Sequence, residues 1–478
     1  MVQMLWHGVA GAAVAGVSHR PCRWHSTHVS ASHSTGSPAR ATGPWARLVA
    51  VSSTHPAAES GDPSGDEATE TVRQLRDVAT PAGAAALDRA AALLAEGVDA
   101  VAALTRLRAE VGVDLAGPAW GFARQRARAR AVFGADADRL LFTGDTLEQA
   151  GRPVLATRRA HRLLAGGATA VADLGCAAGT DTIALARAGA RVVAVDRDPV
   201  ARELTAFNTA ALGLADRVQV RAADVVDLVA AIPDGPATGG RVAGCAAALL
   251  DPARRAGGRR LLDPDRWSPP WSTVSRLLDV LPTCVVKVAP GLDHDRVPPG
   301  VEAEWVSAGG SIVEALLWGR GVSAAWRRAA QLRPDGSVAE LTADADPGLA
   351  PVAGVRAWLH EPDPAVIRSG LVALVAEQLD GSLVDPTIAY LTSDAAADSP
   401  WVSSYRVAEV LPFNLKKLRA LLRARGVGRV TVKKRGSAIE PETLARQLRG
   451  PGSGTAVVVV TRVAGAPTVL VCEPAQAR

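Results

Sequence analysis

The sequence predicts an α/β protein. A doubly wound, mainly parallel sheet of seven strands occupies the middle of the chain, with a helical region before it and an α+β domain after it. Three observations carry this expectation. Val171-Ala172-Asp173-Leu174-Gly175-Cys176-Ala177-Ala178-Gly179-Thr180-Asp181 is an apolar run ending in an acid, then a Gly-rich turn, then the start of a small-residue helix. Val192-Val193-Ala194-Val195-Asp196 repeats the apolar run and its terminal acid, which completes the opening βαβ unit of a nucleotide-binding sheet. Apolar runs and Ala-rich helical stretches then alternate up to Trp318, the pattern of strands joined by crossover helices.

The elements follow in order. The first stretch, residues 1–66, is rich in Ser, His, Pro, Gly and Thr, holds six of the nine histidines and shows no sustained periodicity. Residues 1–70 are therefore expected to be an unstructured or mis-assigned extension. A later start would fall on a valine, Val72 or Val78, because no methionine follows Met4. Residues 71–164 carry Ala and Leu at helical spacing over Ala84–Leu94, Val98–Val111 and Pro118–Val132. On the last of these, Arg124 with Arg128 and Arg126 with Arg130 form two neighbouring basic pairs. The core, residues 165–319, reads as strands at 169–174, 191–195, 217–222, 246–251 and 283–289, closed by strands at 302–307 and 311–318. Helices at 179–188, 198–212, 225–231 and 272–281 connect them. Residues 320–478 open on a hairpin signal, Arg333-Pro334-Asp335-Gly336. They continue with a helix at Pro364–Leu379, strands near 386–392 and 404–410, helices at Leu415–Arg425 and Pro441–Leu448, and strands at Arg429–Lys433, 455–463 and 467–472.

Four acids, Asp173, Asp196, Asp224 and Asp251, fall at the carboxyl ends of expected strands, where an open parallel sheet binds its ligand. The loop spacing Gly175-x-x-x-Gly179 is not the G-x-G-x-x-G of a dinucleotide site. The carboxylate of Asp173, two residues before Gly175, opposes a pyrophosphate and suits the cationic methionine end of S-adenosylmethionine. Asp196 stands where ribose hydroxyls need a carboxylate, and Asp224 where an adenine amine does. Asp251-Pro252-Ala253-Arg254-Arg255 ends a buried strand in a polar loop. There Asp251 is placed to meet an acceptor, Pro252 to restrict the loop and Arg254 to pair with a phosphate. Each acid taken singly is as well read as a helix cap.

With these motifs in place, Leu140–Gly319 resembles the class I S-adenosylmethionine-dependent methyltransferases, whose core is a seven-stranded Rossmann-like sheet. Leu141-Phe142-Thr143 and Leu147-Glu148-Gln149-Ala150, followed by Asp173-Leu174-Gly175, are similar to the trimethylguanosine-synthase-like RNA guanine-N2 group. Together with Asp251-Pro252-Ala253-Arg254-Arg255, the C-terminal third resembles bacterial methyltransferases with a THUMP-like domain. The resemblance implies S-adenosylmethionine as cofactor, held by Asp173, Gly175, Gly179, Asp196 and Asp224, with Asp251, Pro252 and Arg254 at the acceptor. The chain departs from the family at Ala177, which replaces the middle glycine of the loop, and in having Asp-Pro-Ala-Arg where exocyclic-amine enzymes carry a Pro-Pro-aromatic motif.

Charge separates the possible partners. Between Tyr405 and Arg449 twelve Lys/Arg face three Glu, an excess of nine that exceeds the whole-chain net of +5, so the rest of the protein is net acidic. Such a patch is the footprint of a polyanion binder, and it nominates Lys416, Lys417, Arg419, Arg423, Lys433, Lys434 and Arg435 as RNA contacts. The five cysteines are odd in number and contain no C-x-x-C pair, which argues for a cytoplasmic protein without a disulfide framework or metal site. No apolar stretch reaches membrane-spanning length. Cys284 begins its strand, the wrong end of the sheet for a nucleophile attacking a pyrimidine carbon. Three functions stay open at this point: an RNA methyltransferase, a small-metabolite methyltransferase, and a non-catalytic RNA-binding protein with a relic cofactor site.

Overall fold

Strand-to-strand pairing follows the side-chain alternation of the sequence. The protein is described here from a computed structural model that covers residues 63–233, 240–256 and 259–473. Strands β1 (Ala170–Leu174), β2 (Arg191–Asp196), β3 (Val218–Ala222) and β4 (Ala247–Leu250) come first. A two-residue hairpin, β5 (Arg255–Ala256) and β6 (Arg259–Arg260), precedes β7 (Thr283–Val288), β8 (Glu302–Ala308), β9 (Ser311–Trp318), β10 (Arg327–Leu332) and β11 (Val338–Ala343). The main sheet runs β3-β2-β1-β4-β7-β9-β8-β10-β11. Its first five strands are parallel, and β9 lies antiparallel between β7 and β8.

The sheet has nine strands, two more than the sequence predicts. The Arg333–Gly336 turn does make a hairpin, with the Asp335 carboxylate accepting from Ser337 N at 2.9 Å. That hairpin, β10–β11, extends the first sheet beside β8 instead of opening a second domain at residue 320. Turn chemistry specifies a hairpin but not the edge onto which it docks.

Helices cover both faces. On one face, α6 (Pro153–Leu164) and α7 (Thr180–Arg187) bury Ala156, Ala160 and Leu185 against Val171, Leu249, Val285 and Trp318. On the other, α9 (Val225–Ala230) and α10 (Trp271–Val280) bury Val229, Val274 and Leu277 against Ala172, Leu250 and Val286. Before the sheet come α1 (Pro63–Val78), α2 (Pro81–Ala95), α3 (Ala100–Val111), α4 (Val113–Phe133) and α5 (Gly144–Gln149), and α8 (Pro199–Ala211) follows β2. Leu75 and Val78 of α1 are fully buried, and Arg76 pairs with Glu203 of α8 at 3.2 Å. Helix α1 thus begins within the stretch expected as an extension, and a start at Val72 would remove its N-terminal half while keeping Leu75, Arg76 and Val78. Residues 1–62 lie outside the described residues. Arg126, one member of the basic pairs noted in the sequence, is buried on α4 and donates to Leu140 O at 2.9 Å. Burial lowers its pKa to about 10.

The second sheet is built from β12 (Trp358–Pro362), β13 (Ser382–Asp385), β14 (Ile388–Ser393), β15 (Val402–Pro412), β16 (Val427–Lys434), β17 (Gly454–Val463) and β18 (Ala466–Cys472). Its order is β13-β14-β12-β15-β18-β17-β16. The helix expected at Pro364–Leu379 is two helices, α11 (Pro364–Ser369) and α12 (Val372–Gln378), because Gly370 takes φ +79° and ends the first. Two further helices, α13 (Leu415–Ala424) and α14 (Pro441–Leu448), cover the face carrying Val458, Val460 and Val469. Val366, Val375, Trp401 and Val402 join the same apolar cluster as Val274 of α10 and Trp305 of β8, so the start of the second sheet and its helices share a core with what precedes them.

A buried ionic network fastens the added hairpin to α6. Arg162 reaches Glu302 at 2.7 Å and Glu304 at 3.1 Å, Arg158 reaches Glu304 at 2.5 Å, and Arg328 bridges Glu302 and Glu340. Burial pushes the Glu302 carboxyl up, but Arg162 and Arg328 outweigh it and hold it below the ordinary glutamate value of 4.5. Glu340 is lowered likewise by Arg158, against burial. Carboxyls depressed in the folded state stabilise it above their unfolded pKa and lose that contribution as pH falls through the folded one. The melting temperature is thus expected to drop steeply once the pH passes below about 4.5. Calorimetry showing a flat melting temperature across that range would exclude the network as a stabiliser.

Candidate cofactor and acceptor site

Side-chain parity brings the site together. On β1, β4 and β7 the residues Val171, Leu249 and Val285 face α6 and α7, so Asp173, Asp251 and Lys287, two positions further on, face the same way. All three stand at the carboxyl ends of adjacent parallel strands, at the switch point between β1 and β4. Asp181 and Arg159 descend from the covering helices, and Glu314 enters from the antiparallel β9.

The result is a chain of alternating charge. Lys287 Nζ bonds Asp251 Oδ2 and lies 3.6 Å from Asp181. The Arg159 guanidinium donates to Asp181 at 2.6 Å and also to Glu314. Asp173 accepts from the Thr182 hydroxyl and is buried. Burial, reinforced by Asp181 nearby, pushes the Asp173 carboxyl up to about 7. Burial works against the charge of Lys287, but Asp251 and Asp181 outweigh it and raise its pKa. Asp173, Asp251, Asp181 and Lys287 line a cleft together with Gly175, Cys176 and the α5–α6 connection at Gln149, Ala150 and Gly151.

The Gly-rich turn is shaped by close approach. A Cβ on Gly175 would stand 2.9 Å from Asp251 O, and Gly179 takes φ +85° as the N-cap of α7. Thr205 bonds Ala177 O at 2.9 Å. Asn208 of α8 is buried and donates to Leu141 O at 3.0 Å and Ala178 O at 2.9 Å. It thereby staples the helical region to the turn.

The predicted site residues divide into groups. Asp173, Gly175 and Asp251 share the cleft, whereas Gly179, Asp196 and Asp224 stand beside it and do not line it. Asp196 accepts from Ala177 N at 3.1 Å and Asp198 N at 3.0 Å. Asp224 caps α9 through Val226 N at 2.8 Å, the helix-cap role that each acid allowed. Pro252 is buried, and Arg254 donates to Val288 O at 3.1 Å, which ties the acceptor loop to the end of β7. Cys284 is buried at the start of β7, with its thiol pushed up to about 12 by burial. Sequence reasoning missed Lys287, Arg159, Asp181 and Glu314. The one available signal was a lone lysine in an otherwise apolar strand, Cys284-Val285-Val286-Lys287-Val288.

The seven basic residues predicted to act together fall on two faces of the second sheet. Val430 and Val432 pack towards α13 and α14, so Lys433 and Arg435 point to the opposite face. There Lys433 pairs with Glu361 at 2.6 Å, and Arg435 lies over the Tyr390 ring, 5.4 Å from its centroid. Lys434 pairs with Glu440 at 2.8 Å. Lys416, Lys417, Arg419 and Arg423 are exposed on α13, with Arg419 donating to Gln447 O at 2.7 Å. Phe413, just before that helix, is exposed as well. No group of side chains among the described residues is arranged to hold a metal ion, and no described helix is long and apolar enough to cross a membrane.

The charges around the cleft favour a cationic ligand. Asp173, Asp181 and Asp251 line it with Lys287, and behind them Arg159 is matched by Glu314, so acids outnumber cations. Comparisons agree. An uncharacterised S-adenosylmethionine-dependent methyltransferase of Mycobacterium tuberculosis, found in strains H37Rv and CDC 1551, is 34% identical over 347 residues, 70% of this chain and 89% of that protein. A crystal structure of a candidate methyltransferase from Porphyromonas gingivalis W83 superposes with a TM-score of 0.60 at 18% identity, covering 76% of this chain and 92% of the other. Residues 402–474 match the THUMP domain-like family. The chain belongs to the S-adenosylmethionine-dependent methyltransferases, and S-adenosylmethionine is its cofactor.

Proposed function

We propose that this methyltransferase acts on RNA and transfers the methyl group to a base nitrogen, with a guanine exocyclic amine as the first candidate. The observation that carries the reading is α13. Lys416, Lys417 and Arg423 stand exposed on one helix with no ion pair among the described residues, beside exposed Phe413, in the part of the chain that matches the THUMP-like family. Cations near an exposed ring suit phosphates and an unstacked base. An acceptor amine donates N–H, and a carboxylate such as Asp251 accepts it.

The roles follow from position. Asp173 faces the methionine ammonium, Gly175 and Gly179 admit the ligand to the backbone, Asp196 takes the ribose hydroxyls and Asp224 the adenine amine. Asp251 receives the acceptor in the loop that Pro252 and Arg254 hold. Bound there, the cofactor supplies an electrophilic methyl group, and the protein's task is alignment and removal of one proton.

Two sets of variants test the reading. Reversing charge at Lys416, Lys417 and Arg423 is expected to weaken RNA binding and flatten its salt dependence, by a slope of about 0.7 per lost contact on single strands. Cofactor affinity should hold. Asp251→Ala should leave RNA affinity nearly intact and abolish transfer. RNA binding with an unchanged salt slope in the reversal variant would leave α13 as solvated surface and favour a small-metabolite acceptor.

A further inference from the structure

Lys287 is a buried charge in the middle of the first sheet. It projects from a central strand between β4 and β9, its side chain is 10% exposed, and Val285 and Val286 beside it are fully buried. An ion pair in such a setting contributes little to stability compared with a well-packed apolar residue. The register Leu250↔Val286 sets the next residues, Asp251 and Lys287, side by side at the strand ends. Both side chains line the cleft, Asp251 the more open at 28% exposed against 10% for Lys287. Asp251 Oδ2 takes Lys287, and among the described residues Oδ1 carries no hydrogen bond.

We propose that Lys287 is a positioning residue for methyl transfer: its ammonium clamps Asp251 Oδ2 and ties it to Asp181 at the head of α7, so that Oδ1 is presented to the acceptor. The clamp joins the acceptor loop to the helix that begins at the cofactor turn, and it sets the acceptor nitrogen relative to the methyl group. In the reaction, the nitrogen lone pair forms the N–C bond while the S–C bond breaks and its electron pair stays on sulfur. The nitrogen then bears a positive charge and sheds a proton to Asp251 Oδ1, from which it passes to water at the open side of the cleft. Lys287 keeps its own proton throughout, because Asp251 and Asp181 both favour the charged ammonium.

The inference rests on Asp251 being the acceptor-side group, and the experiment separates the two ideas. Full-length Lys287→Met and Lys287→Arg are assayed with labelled S-adenosylmethionine on RNA from cells lacking the enzyme, and S-adenosylhomocysteine binding is measured by calorimetry. Lys287→Met should keep S-adenosylhomocysteine affinity and the KM for RNA within a few fold. Its kcat should fall about a hundredfold, the low end for a mispositioned proton acceptor, and the acid limb of its pH–kcat profile should move up. Lys287→Arg should recover most of kcat. Should Lys287→Met fail to fold, the charge-balanced K287M/D181N pair, which leaves Arg159 with Glu314, should show the same loss of kcat. Wild-type kcat and pH profile in Lys287→Met, or in the pair, overturns the clamp, as does an Arg variant no better than Met. Full activity in Asp251→Ala overturns the assignment of Asp251 itself.

Discussion

Arg159→Ala is expected to lower folding stability by about 3–5 kcal/mol, the cost of stranding charges whose buried partner is removed. Arg159 is fully buried, and its guanidinium is shared between Asp181 on α7 and Glu314 on β9. Without it, Lys287, at 3.6 Å, is the one cation left to Asp181 among the described residues. Glu314 would be left without its cation, and its other oxygen, Oε1, has no hydrogen-bond partner among the described residues. The denaturant midpoint should fall with an unchanged m-value, which marks a loss of stability without a change in the surface exposed. A midpoint shift worth less than about 1 kcal/mol, the range of exposed pairs, would mean that the cluster relaxes or admits water when the cation is lost.

Cofactor affinity is expected to depend on pH through Asp173. In the free protein, burial first and Asp181 second push this carboxyl up to about 7 from an ordinary 3.8. A raised carboxyl stabilises the fold in its protonated form, and that contribution disappears as the pH rises through about 7. A methionine ammonium beside it acts in the opposite sense and favours the ionised form. Binding therefore releases a proton, and S-adenosylhomocysteine should bind more tightly as pH rises. The gain approaches about tenfold per unit below the raised pKa and levels off above it. Asp173→Asn should remove the slope and hold the affinity at or below the weak acid-side value. Calorimetry in buffers of different ionisation enthalpy counts the proton directly, and a pH-independent affinity with no proton released would separate Asp173 from the ammonium.

The sequence made the positions of the acids legible because strand ends are written locally: an apolar run, an acid and a turn. The same local signals located α7, α8 and the four parallel strands from β1 to β4. Lys287 and Arg159 were not legible for a physical reason. One polar residue in a strand reads as its solvent side, and Arg158-Arg159 with Arg162 reads as a basic helix face. Only the packing of α6 onto the sheet turns that face inward. The β10–β11 hairpin was visible as a turn, but its docking edge depended on the ionic network with α6, which spans residues 158–340. On β16, strict alternation separates Lys433 from Lys434, so a run of cations in sequence became two faces in space. Strand β12, short and holding His360 between Ser393 and Ser404, carries neither an apolar run nor a turn signal.

The apolar cluster that joins Val274 and Trp305 to Val366, Val375 and Trp401 also takes in Leu383, Leu391 and Val402 of the second sheet, and α13 packs on that same sheet through Leu418 and Leu422, so α13 is held to the fold that carries Asp251. A module on a flexible tether raises the local concentration of whatever it grips and leaves the site of reaction to chance encounter. A module set into a shared core does something else. On the reading proposed above, an RNA gripped at α13 reaches the cleft only at the nucleotide lying one fixed span away. The enzyme would choose its target by measuring, and the base at that mark would be methylated whether or not its neighbours are read.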